Sequence, residues 1–127
     1  MTDEQYLQHC QALLADFVNA LQTRTSTLPK EDPLRALVQA FDQLAKNSQD
    51  QYIEGPPLVQ RLFTTYPEIA PLLPRQLLWF FGGDCLHFMP DEEINHFQAL
   101  EEARLSAAAQ GEVFDIAEAR AKLLNLQ

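Results

Sequence analysis

Apolar residues recur at alternating steps of three and four along most of the chain, the pattern of helices that bury one face. The clearest run is Leu7, Cys10, Leu14, Phe17 and Leu21, a stripe widened by Tyr6, Leu13 and Ala20. Thr2 and Gln5 form a capping-box pattern ahead of it, so the spacing predicts a first helix beginning near Asp3. The segment TRTSTLPKEDP has no period and reads as a surface loop, closed by Asp32 as N-cap and Pro33 as first helical residue. Leu34, Leu37, Val38, Phe41, Leu44 and Ala45 then give a second buried stripe. It should fray over Asn47 to Gln51, where no apolar anchor follows.

Gly55-Pro56-Pro57 predicts a break, because proline cannot donate within a helix and biases the residue before it away from α. A third helix should start at Pro57 and carry Leu58, Leu62, Phe63 and Tyr66 inward. Pro67, Pro71 and Pro74 leave PEIAPLL room for one short helical turn. Beyond Pro90 the pattern gives a long helix with Ile94, Phe97, Leu100, Ala103 or Arg104, and Ala107 or Ala108 inside, capped by Gly111. Asp115 and Glu118 form a second capping-box pattern, followed by Ile116, Ala119, Leu123 and Leu124 facing inward and Phe114 at the start.

The stretch from Pro74 to His96 gathers the unusual side chains: the single Trp, the Trp79-Phe80-Phe81 triplet, Gly82-Gly83, Cys85, His87 and His96. One reading ends a helix at Phe81 with a glycine cap. The other continues it, since Leu78, Phe81, Cys85 and Phe88 keep the three-four-three spacing across the glycines. The spacing favours continuation. Two interior glycines would then cost about 2 kcal/mol, a loss that the close approach of another helix backbone would offset. The expected fold is all-α, a single domain over residues 1–127, built as a bundle of five to six helices around a central apolar helix near 74–89.

Charge narrows the possible partners. With 18 acidic against 9 basic residues the chain carries a net charge of -9, which argues against nucleic acid and anionic membrane surfaces. Cys10 and Cys85 are too few for a disulfide framework, and their positions on apolar faces suit small hydrophobes. The start, MTDEQYLQHC, has no signal-peptide pattern, and no apolar run has the length of a membrane span. A reducing cytoplasm is the expected compartment.

Candidate chemistry concentrates near the glycines. Asp84 with His87, and Glu93 with His96, are each one helical turn apart, the spacing of a metal-binding pair in a helical carboxylate protein. The buried stripes of the first three helices supply no further carboxylate, so no cofactor is expected. The simpler reading gives Glu92 and Glu93 to the helix dipole and His96 to a solvated face. No phosphate loop, nucleophile elbow or zinc-protease motif occurs, and Asp84, Cys85 and His87 would point to different sides of a helix.

The aromatic cluster suits an interface as well as a core. Trp79, Phe80, Gly82, Gly83, Leu86 and Phe88 are the candidate interface or pocket residues, because a small monomer has limited room to bury so many rings. A non-enzymatic protein acting by association is the leading expectation, as a homodimer and with a partner protein as a further candidate. A metal-binding or enzymatic domain using Asp84, His87, Glu93 and His96 is the alternative, and a small-molecule module beside Trp79 a third. Over WFFGGDCLHFMPDEEI the chain resembles an uncharacterised group of short, acidic, all-helical bacterial proteins. That resemblance implies no activity and no functional residue.

Overall fold

Side-chain caps set the helix starts where the pattern placed them. The Thr2 amide donates to Gln5 Oε1 at 2.9 Å and the Gln5 amide to Thr2 Oγ1 at 3.1 Å, a reciprocal box that opens α1 (Asp3–Thr25). Asp32 Oδ1 accepts from the Leu34 amide at 2.9 Å and Pro33 begins α2 (Pro33–Lys46). The computed structural model describes residues 1–47 and 49–125; Ser48, within the segment expected to fray, lies outside them, as do Leu126 and Gln127. Among the described residues there is no strand. The remaining helices are α3 (Gln51–Thr65), α4 (Arg75–Phe81), α5 (Asp91–Ala109) and α6 (Ile116–Asn125). Two 3-10 segments, Ala70–Leu72 and Gly83–Phe88, bring the helical segments above the five to six expected.

The chain forms two compact units: Cys10–Phe88, and Met1–His9 with the chain from Met89 onward. In the first, α2 packs along α3, and α4 and the second 3-10 segment pack against α3. Phe17 of α1 meets Phe41 of α2 edge-on, with ring centroids 5.2 Å apart. Cys10, Leu14, Leu21, Leu37, Phe41, Leu62, Leu77 and Leu78 are fully buried here, each large side chain contributing roughly 1.5–3 kcal/mol. Val18 and Thr25, not Ala20, widen the α1 stripe, and Leu7 is exposed.

The segment expected to fray is anchored by a polar contact instead. Gln51 is 1% exposed, and its amide pairs reciprocally with that of Gln11 on α1 while Nε2 also donates to the Leu44 carbonyl at 2.9 Å. A buried amide with all of its neighbours hydrogen-bonded costs little to bury and fixes where α3 begins. Helix α3 therefore starts at Gln51 and runs through Gly55-Pro56-Pro57, where a break was expected. The prolines remove the amide donors for the carbonyls of Tyr52 and Ile53, four residues earlier, and both of those residues are exposed, so water can replace the lost bonds. On the opposite side Gln51, Gly55, Val59 and Leu62 are buried. A Cβ on Gly55 would lie 2.6 Å from Phe81 Cε1, so the ring of α4 occupies the space that a side chain would need.

Continuation across Gly82-Gly83 does not occur. Helix α4 ends at Phe81, and Gly82 takes φ 63° and ψ -153°, a conformation confined almost entirely to glycine. Gly83 follows at φ 53°, and the Cys85 amide returns to the Gly82 carbonyl at 3.0 Å to open the 3-10 segment. That tighter turn sets Cys85 back in the core, which is why the spacing matched a continuous helix. The expected close approach at the glycine pair is also absent: a Cβ on Gly83 would meet nothing within 4 Å. The glycine that permits close packing is Gly55.

In the terminal unit, α5 ends in a Schellman motif, with the Glu112 amide on the Ala107 carbonyl at 2.8 Å and the Gly111 amide on Ala108 at 3.2 Å. Its buried residues are His96, Phe97, Leu100, Arg104 and Ala107. Of the expected pair, Arg104 faces inward and Ala103 outward. Asp115 Oδ1 accepts from the Glu118 amide at 3.1 Å near the start of α6. Helix α6 packs on α5, but Leu124, expected inside, is exposed, because α6 is covered on one side only and no residue of it is fully buried among those described.

Candidate functional site

The expected metal residues divide into two unlike pairs. Asp84 and His87 lie on the second 3-10 segment with side chains 85% and 80% exposed, Oδ1 to Nε2 at 3.9 Å, a loose surface pair. Glu93 is half-buried on α5, and His96, expected on a solvated face, is 6% exposed. Helix α5 turns it inward beside Phe97, whose ring stands edge-on at 5.7 Å. Neither His96 ring nitrogen has a hydrogen-bond partner. Among the described residues no three His, Cys, Asp or Glu side chains are grouped to hold a metal ion.

The cysteines are built for packing. Both are thiols outside any disulfide and fully buried. Burial, with the Asp84 carboxylate next, pushes the Cys85 thiol up to about 11, so it stays protonated and is a weak nucleophile. Adjacent Asp84 and His87 face solvent while Cys85 faces the core, so the three cannot act together.

Arg104 is the one buried cation among the described residues of α5. Its Nη1 donates to Asp3 Oδ1 at 2.9 Å, and its guanidinium lies 4.8 Å above the Tyr6 ring. The contacts fasten the first turn of α1 to α5. Arg120 of α6 similarly covers the Phe97 ring at 5.2 Å.

The candidate interface residues fare differently from one another. Phe80 is buried, against Phe81 at 5.4 Å and Tyr52 at 5.2 Å. Phe88 is half-buried and stacks on Phe63 at 4.5 Å and 27°. Trp79, Gly82 and Leu86 are half-buried, and Gly83 is exposed. The residues missed from sequence are Tyr52 and Ile53, 59% and 74% exposed on the first turn of α3. They were hidden by the expected break at Gly55. The available signal was the stripe Gln51, Gly55, Val59, Leu62, which leaves both residues on the outer side.

Open clefts of about 320 Å³ beside Thr25 and Arg35, and about 530 Å³ beside Gln5 and Phe114, carry no constellation suited to catalysis. No described helix is long and apolar enough to cross a membrane. Fold and surface together define a small all-helical protein whose distinctive features are buried thiols and outward-facing aromatic and aliphatic side chains. The chain belongs to the PA2817-like family, an uncharacterised family whose model matches residues 2–127. Neither a curated protein nor a solved structure matches it.

Proposed function

We propose that the protein acts by association with other protein chains. The observation that carries this reading is the exposure of Tyr52 and Ile53, adjacent on the first turn of α3, with the Tyr52 ring against buried Phe80. Self-association is the first form to test. Trp79, Leu86 and Phe88 are half-buried, and open space over Gly83 leaves room for a second copy. Phe80 supports such a face from beneath. The reduced, buried thiols fit a cytoplasmic setting.

Sedimentation at high micromolar concentration should show a homodimer that Leu86→Asp dissociates, and a strictly monomeric species would remove self-association. Metal measured in chelator-free protein tests the enzymatic alternative. Stoichiometric metal lost on His96→Ala would replace the association reading.

A further inference from the structure

The first turn of α3 differs from an ordinary apolar patch in what surrounds it. Tyr52 and Ile53 project outward, and on either side of them stand the exposed carboxylates of Asp50 and Glu54. Asp50 holds the N-cap position, where its side chain would usually bond a free helix amide, yet it makes no capping bond. Its carboxylate is therefore not committed to the helix. Pro56 and Pro57 deepen the asymmetry, because they carry no amide hydrogen for the Tyr52 and Ile53 carbonyls. Two apolar side chains, two carboxylates and two under-used carbonyls share one turn, and the single cation of α3, Arg61, is two turns away. Residues 50–54 thus carry two carboxylates and no cationic side chain.

We propose that this turn docks a cationic amphipathic segment of a partner protein, with an apolar anchor against Tyr52 and Ile53 and arginine or lysine donors on Asp50, Glu54 and the free carbonyls. Charge complementarity selects this occupant over a second copy. In an isologous dimer centred on this turn, Asp50 and Glu54 would face the same carboxylates of the second copy. An anionic membrane or nucleic acid is repelled for the same reason. The inference rests on the association reading but uses residues other than Trp79, Leu86 and Phe88, so the homodimer can fail while this surface stands.

The test is fluorescence anisotropy of the full chain with a labelled helical peptide that presents a leucine face flanked by arginines. Two control peptides replace every arginine by glutamate or every leucine by serine. The arginine-leucine peptide should bind, more weakly as salt rises, and neither control should. Ile53→Ser should weaken binding by roughly tenfold or more, as for a central anchor. Asp50→Asn with Glu54→Gln should weaken it about fivefold at low salt and flatten the salt dependence. Pro57→Ala returns a donor to the Ile53 carbonyl, leaves the apolar anchor in place, and should cost about twofold to threefold. All four positions are exposed, so unchanged circular dichroism is expected of each variant. Equal binding of the glutamate peptide, no binding of any peptide, or full affinity in Ile53→Ser would overturn the proposal. A dimer that Ile53→Ser converts to monomer would overturn it as well, by making the turn a self-interface.

Discussion

In the Cys10–Phe88 unit the buried Gln51 amide is paired with Gln11 and Leu44, and the Thr25 hydroxyl donates to the Leu21 carbonyl at 2.7 Å. In the terminal unit His96 is buried with both ring nitrogens unpartnered, Arg120 Nε is likewise buried without a partner, and buried Arg104 reaches an Asp3 that is 89% exposed. Each unit buries a few polar side chains; Gln51 and Thr25 of the first are hydrogen-bonded, whereas His96 and Arg120 of the second leave buried nitrogens without a partner. Polar burial without partners costs on the order of 1–3 kcal/mol per group, so the terminal unit has the smaller margin. It is where local opening should begin.

Four experiments bear on that difference. Phe41→Ala removes a fully buried ring from the contact with Phe17 and should lower the unfolding free energy by about 3–5 kcal/mol in urea titration. Amide exchange should then accelerate in α2 to α4, and a small effect there would contradict a tight core in this unit.

The second prediction uses pH. Cys85 holds its proton more tightly when folded, with its value raised from 9.0 to about 11, so the folded state binds more protons between these limits. Its contribution is present below pH 9, is lost as pH rises towards 11, and amounts to about 2–3 kcal/mol. Cys85→Ala should flatten that stretch of the stability profile.

His96→Leu tests the terminal unit in the opposite direction. Removing two unpartnered nitrogens should raise stability by about 1 kcal/mol, and a loss would show that the imidazole is held by bonds of value. The smallest effect is expected of Asp3→Asn, less than about 1 kcal/mol, because solvent screens the exposed partner. Thermal melts at low and high salt should detect it only at low salt.

What could be read from sequence was local. Thr2 with Gln5, Asp32 with Pro33, and the α2 stripe specify their own elements within a few residues, and each formed as expected. What could not be read depends on residues far apart. Helix α3 passes through two prolines because Gly55 seats Phe81 and because Gln51 finds Gln11, forty residues away. The burial of His96 was illegible for a similar reason: the apolar pattern assigned the inner face to Ile94 and gave no signal that an imidazole would be tolerated there. Of the candidate surface, the central aromatic stretch was visible and the α3 turn was not, since its exposure follows from a helix that the local sequence argues against.

Gly82 and Gly55 look alike in the sequence, but they answer to different symmetries. At Gly55 the constraint is volume, since a Cβ there would press on the Phe81 ring at 2.6 Å. At Gly82 there is room, the nearest atom to an added Cβ being the Trp79 carbonyl oxygen at 3.8 Å, and the constraint is chirality. The turn after α4 is written in the mirror image of the conformations that L residues prefer. A chain assembled chemically with D-alanine at position 82 would fit that turn, while its L counterpart would have to bend it.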